Sequence, residues 1–287
     1  MTFDPMREQL IKLAGKLQKD DIKLIIGGGY GLLLKREHLA QTETPTRFEL
    51  PEARSTNDID TFLRTEVITN AEKIEKIRDA LADLGFEPVA KFFQFELPIS
   101  DKNPDLKVKI DFLAPPPSTP EERKLVHIKN VRIRPVGASD IHGFLTKEAV
   151  TLEENLIPLT IEDKGNSIDI FLPHPFTYLV LKLFALRDRL EDEEKDFGAY
   201  HSFDIYRIIA MMTEQELEQA FAMRDKFADE PKIQEARAIV NELFSSTDSI
   251  GILRLRQHIR SVEIKLEDEN ISGMIEDLKE LFPNVQI

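Results

Sequence analysis

Two aspartates one residue apart, Asp58 and Asp60, lie in the run Arg54-Ser55-Thr56-Asn57-Asp58-Ile59-Asp60. On a strand, residues i and i+2 share a face, so the two carboxylates would stand side by side. Adjacent carboxylates repel and lose hydration, and a divalent cation relieves both costs. An ordinary solvated strand face is the competing reading. A third acid, Asp111, lies in Lys107-Val108-Lys109-Ile110-Asp111-Phe112, with its parity opposite Ile110 and Phe112. By itself that describes the wet face of a half-covered sheet. Upstream stands Gly27-Gly28-Gly29-Tyr30-Gly31. Glycines there let the backbone turn sharply and bring its amides close to a phosphate, and a following helix N-terminus adds its dipole. No Gly-Lys-Ser/Thr follows, so this is not a P-loop. Leu32 stands where the dinucleotide fingerprint needs its last glycine. Taken alone, a tight structural turn accounts for the cluster equally well.

The composition limits the chemistry. There is no cysteine among the 287 residues, which excludes disulfides, thiolate metal sites and cysteine nucleophiles. Six scattered histidines leave oxygen ligands as the natural metal donors, favouring magnesium or manganese. The formal net charge of -14 argues against a general nucleic-acid binder. Residues 171–287 hold 14 basic and 23 acidic side chains, so a polyanion would approach the first half. There Lys102, Lys107, Lys109, Lys124, Lys129, Arg132 and Arg134 lie close in sequence, although ordinary solvated charges account for them as well. The charged N-terminal segment is no signal peptide, and no apolar run suffices to span a bilayer, so a cytoplasmic protein is expected.

The elements that must position these residues are legible from their periodicity. Leu10, Leu13, Ala14 and Leu17 mark an amphipathic helix. The short apolar run 23–26 leads into the glycines, and Leu32-Leu33-Leu34-Lys35 reads as a buried helix start. Residues 40–56, polar and proline-containing, read as a loop. A strand is expected over 58–63, then a helix carrying Ile74, Ile77, Leu81 and Leu84 and closed by Gly85. Strands are expected over 91–97 and 106–113, the second stopped by Pro115-Pro116-Pro117, with further strands at 130–135, 150–161 and 167–172. From His174 onward the pattern is helical, with capping-box spacing at Thr213–Glu216 and a final stripe of Met274, Ile275, Leu278, Leu281 and Phe282. An α+β domain over 1–172 followed by a helical domain over 173–287 is expected.

A Gly-Gly turn, a strand Asp-x-Asp about thirty residues on and a further strand Asp about fifty residues later together resemble the polymerase-β-like nucleotidyltransferase superfamily. The stretches Ile26–Gly31 and Arg54-x-Thr56-x-Asp58-Ile59-Asp60 are similar to its AbiEii/AbiGii-type toxin branch. So is the segment from His174 through Lys182, Arg187 and Arg189 to Asp204-Ile205-Tyr206. The likeness covers roughly residues 20–210. It implies a nucleotidyltransferase-like mixed sheet flanked by helices, and a cleft closed by the helical domain. It implies Asp58, Asp60 and Asp111 as ligands of Mg2+ or Mn2+ in a two-metal reaction on an NTP, with Asp111 as candidate base. It places Gly27, Gly28, Thr56 and Lys182 around the nucleotide. Lys182, flanked by Leu179, Val180, Leu183 and Leu186, reads without the resemblance as a lysine that snorkels to solvent.

The acceptor is left open. The resemblance implies a toxin acting on tRNA or another target and restrained by an antitoxin partner. A transferase that modifies an antibiotic or metabolite is a second enzymatic reading, and a nucleotide-binding module without catalysis is a third.

Overall fold

In a computed structural model, the described residues are 4–54, 56–89, 93–100, 106–138, 140–163 and 165–284. They divide into two units. One contains the chain up to Leu34 and Arg54–Pro173, and the other contains Lys35–Ala53 and the chain from His174.

The first unit is built on a mixed sheet. Its strands are β1 (Ile25–Ile26), β2 (Asp58–Phe62), β3 (Glu87–Pro88), β4 (Gln94–Pro98), β5 (Lys107–Ala114), β6 (Val126–Lys129), β7 (Arg132–Pro135), β8 (Gly143–Leu145), β9 (Ile157–Asp163) and β10 (Asn166–Leu172). The main path runs β6-β7-β8-β5-β2-β1-β10-β9, while β4 also pairs with β5 and carries β3. β2 and β5 are parallel, and β4 lies antiparallel to β5. On β5 burial alternates at every residue: Val108, Ile110 and Phe112 enter the core with Ile59 of β2 and Phe95 of β4. The helices α1 (Pro5–Leu17) and α4 (Ala71–Asp83) add Leu10, Leu13, Leu17, Ile74 and Ile77 to that core. Gly85 ends the α4 segment at φ +80, the left-handed closure its sequence predicts. Two short helices complete the unit, α3 (Thr65–Ile68) and α5 (Pro120–Lys124).

Several boundaries differ from expectation. The expected strand at 130–135 is the second half of a hairpin: β6 precedes it, and Asn130 turns the chain at φ +57. The strand expected from 150 begins only at Ile157, after a left-handed Asn155. Of the strand expected over 91–97, residues 91 and 92 lie outside the described residues, as does Lys102 of the basic cluster. Residues 40–56 are not wholly loop, because helix α2 (Gly28–Thr42) runs through their start.

The second unit is helical: α6 (Pro175–Arg187), α7 (Ala199–Ala210), α8 (Glu214–Lys226), α9 (Pro231–Leu243), α10 (Ile250–Ser261) and α11 (Asp268–Leu281). It also anchors the segment before Ala53. Arg47 and Phe48 donate backbone hydrogen bonds to the Met212 and Ala210 carbonyls, Phe48 stacks on Tyr206 with ring centres 6.2 Å apart, and Arg47 grips Asp277 with two 2.9 Å bonds. The Thr213–Glu216 capping box forms as its spacing predicts.

Candidate active site

The site begins with strand register. Asp60 on β2 is the direct partner of Asp111 on β5, and Asp58 is the partner of Lys109. Paired residues share a face, so Asp58, Asp60 and Asp111 all stand on the side of the sheet opposite Ile59, Ile110 and Phe112. The third acid, separated by some fifty residues of chain, is placed beside the first pair by the parallel β2–β5 ladder.

Each carboxylate has a distinct environment. Thr56 donates its hydroxyl to Asp58 Oδ1 at 2.9 Å, which orients that side chain. Asp111 is flanked by Gln94, its register partner on β4, whose side chain hydrogen-bonds to it. Its Oδ1 is nonetheless buried with no hydrogen-bond partner. Burial pushes the Asp111 carboxyl above the usual aspartate range; the Gln94 bond opposes this, and the charge of Asp58 adds to it. A buried carboxylate oxygen left without a donor costs stability unless something external satisfies it. Lys109 and Lys107, on the same face, are both engaged by Glu96.

The glycine turn is shaped around this face. Gly27 donates its amide to the Asp60 carbonyl at 2.7 Å. Gly28 has φ +59, and a Cβ built on it would lie 1.7 Å from Asp60 Oδ2. A Cβ on Gly29 would lie 2.7 Å from Arg54 Nη2 and 3.2 Å from Thr56 Oγ1. No side chain fits at Gly28, and one at Gly29 would displace the Arg54 guanidinium, so the glycines let the first turn of α2 approach Asp60, Thr56 and Arg54 directly. Sequence reasoning singled out neither Gln94 nor Arg54 as a site residue. Arg54 belongs to the recognised stretch, whereas Gln94 carries no signal before β4 is paired with β5.

Among the described residues, no three His, Asp or Glu side chains are already gathered into a metal-holding cluster. The three aspartates fit a hard divalent cation by donor chemistry and by their shared face, and Asp111 Oδ1 is a buried acceptor without a hydrogen-bond donor.

Lys182 does not snorkel to solvent. It is buried on α6, and its Nζ binds Asp204 Oδ2 of α7 at 2.8 Å. Asp204 Oδ1 accepts from Arg207 at 3.1 Å. Snorkelling fails because α7 packs over this side of α6 and supplies a carboxylate within reach. Removing one partner from such a buried group costs about 3–5 kcal/mol.

Elsewhere in the helical unit, Lys35 binds Glu216 at 2.7 Å, both nearly inaccessible. Burial lowers the Lys35 pKa, and Glu216 opposes the shift. His174 caps α6 by accepting the Phe176 amide at Nδ1, 3.1 Å away. Burial pushes its pKa down to about 4, with Glu216 raising it and Lys35 lowering it further.

No protein-family model matches the chain, and no curated protein sequence does. Solved structures similar to it include a solution structure of the antibiotic-resistance factor ANT(2'')-Ia, at 11% identity and a TM-score of 0.33, covering 78% of this chain and 93% of that one. ANT(2'')-Ia in complex with adenylyl-2''-tobramycin gives 10% identity, coverages of 96% and 98%, and a TM-score of 0.30. An antigenic nucleotidyltransferase-like protein from Paracoccidioides brasiliensis gives 15%, coverages of 80% and 91%, and 0.38. No helix among the described residues is long and apolar enough to cross a membrane.

Proposed function

We propose that the chain is a metal-dependent nucleotidyltransferase that moves an NMP from an NTP to an acceptor hydroxyl, with pyrophosphate leaving as the α–β phosphate bond breaks. One observation carries the reading: Asp60 and Asp111 are register partners, Asp58 shares their face, and Asp111 keeps a buried oxygen with no hydrogen-bond partner. A structural role gives no reason to place three carboxylates on one sheet face around an orphaned acceptor.

Asp58, Asp60 and Asp111 would hold Mg2+ or Mn2+, which when bound supplies positive charge to the triphosphate and lowers the pKa of the attacking hydroxyl. Thr56 fixes the orientation of Asp58. Asp111 would take the proton of the acceptor hydroxyl, or position that hydroxyl for attack. Gly28 and the other first amides of α2 would hold phosphate oxygens at a helix N-terminus, with Gly27 tying that turn to the Asp60 carbonyl and Arg54 beside it. The finer reading is an AbiEii-type toxin with tRNA as acceptor and an antitoxin as partner, supported by the Gly27–Gly31 and Arg54–Asp60 stretches.

The test incubates wild type and Asp60→Asn with each labelled NTP, Mg2+ or Mn2+, and either total tRNA or an aminoglycoside. Label transferred to tRNA by the wild type alone supports the toxin-like reading, and label on the small molecule alone replaces it with an antibiotic- or metabolite-modifying transferase. Metal-dependent nucleotide binding without transfer to any acceptor identifies a nucleotide-binding module. Undiminished transfer by Asp60→Asn removes the aspartates from the reaction.

A further inference from the structure

The chain is strongly acidic, yet between Arg123 and Ala138 it holds five Lys or Arg and no Asp or Glu. This stretch includes the β6–β7 hairpin. Its register pairs His127 with Arg134 and Lys129 with Arg132, so these four side chains stand on one face. Val126, Ile133 and Pro135 turn to the other face and are buried. No carboxylate among the described residues forms an ion pair with Arg123, Lys124, Lys129, Arg132 or Arg134, although Glu96 and Asp140 engage nearby Lys107, Lys109 and Arg78. In a protein with so many acids, a cationic face kept clear of them suits an external anion.

The ladders carry that face to the aspartates. Arg132 pairs with Phe144 of β8, Phe144 with Leu113 of β5, and Leu113 with Phe62 of β2. Leu113 and Phe62 each lie two residues beyond Asp111 and Asp60. The row Lys129–Arg132–Phe144–Leu113–Phe62 is therefore the neighbour of the carboxylate row on the same face of the sheet. From β5 to β7 is two strand spacings, about 10 Å.

We infer that the β6–β7 hairpin is a docking surface for a single-stranded RNA whose terminal hydroxyl is the acceptor, an inference that rests on the proposed reaction. Successive cations on a strand face are about 6.7 Å apart, a step comparable with that between phosphates of an extended nucleic-acid strand. The half-buried Phe144 ring between cations and carboxylates offers a base-stacking surface. An acidic polypeptide offers an acceptor hydroxyl only from side chains, whereas an RNA end presents one beside a base that can stack.

The test is fluorescence anisotropy of a labelled oligoribonucleotide of about 12 nucleotides with the full chain, without NTP or metal, over a salt series. Three phosphate contacts, from Lys129, Arg132 and Arg134, give a slope of log K against log salt of about -2, and Lys129→Ala/Arg132→Ala should cut it to about a third and lower affinity at least about 10-fold. Both side chains lack ion-pair partners, so the variant should melt like wild type. Lys12→Ala, whose partner is Glu8 on α1, should bind as wild type does. No RNA binding by the wild type, equal binding by the double variant, or displacement by polyglutamate as effective as by unlabelled RNA would each overturn the docking surface. Binding is read without NTP or metal, so loss of transfer alone leaves the hairpin proposal standing, and loss of hairpin-dependent binding alone leaves the reaction standing.

Discussion

Replacing Gly28 by alanine perturbs the site through geometry alone, adding one methyl group and no charge. The residue sits at φ +59, a left-handed conformation that costs an alanine about 1–2 kcal/mol. Its Cβ would lie 1.7 Å from Asp60 Oδ2, whereas ordinary contact begins at 3.4 Å. Either the carboxylate retreats by about 1.5 Å or the turn shifts, adding about 1–3 kcal/mol of packing strain. Misplacing a reacting group by about 1 Å costs on the order of 100-fold in rate. Gly15→Ala is the internal control, because the same unit places its Cβ 3.8 Å from Ile168 Cγ2 inside α1. There alanine should be neutral or stabilise by up to about 1 kcal/mol, through helix propensity. The assay compares thermal melts and NTP-dependent transfer for the two variants and wild type. Gly28→Ala should melt lower and lose about two orders of magnitude in transfer, while Gly15→Ala keeps full activity. A Gly28→Ala protein with wild-type melting and wild-type transfer would refute the claim that this glycine makes room for Asp60.

Two further predictions concern titrating groups. Burial raises the folded-state pKa of Asp111, so its ionisation weakens the fold as pH rises through that value; Asp111→Asn should melt slightly higher than wild type at pH 7 while abolishing transfer, and a lower melting temperature there would contradict the desolvation argument. His174 shows the converse case, its folded pKa depressed to about 4 while the unfolded imidazole titrates near 6.5. Stability is therefore fully present above pH 6.5 and falls as pH drops toward 4, by about 3 kcal/mol for this residue. His174→Asn retains an N-cap acceptor for the Phe176 amide, so it should flatten that part of the pH–melting profile; an unchanged profile would remove His174 as its source.

Local chemistry made much of the molecule legible in the sequence. Apolar spacing at Leu10–Leu17 and Ile74–Leu84 set two helices, alternation at Val108–Phe112 set β5, and Gly85 and Thr213 set their ends, because each signal acts over one or two turns of chain. The one-residue spacing of Asp58 and Asp60 fixed their common face for the same reason. Placing Asp111 beside them required the parallel β2–β5 register, a pairing across fifty residues that no local period encodes. The same holds for Gln94, which meets Asp111 only through β4, and for Lys182, whose course was decided by Asp204 from the next helix. Residues 40–56 lack periodicity because Phe48 and Arg47 find their partners, Tyr206 and Asp277, far along the chain. Sequence determined which segments turn, cap and alternate, since those depend on neighbouring residues. Tertiary structure decided which charges meet, since burial, register and a competing partner exist only once distant segments pack.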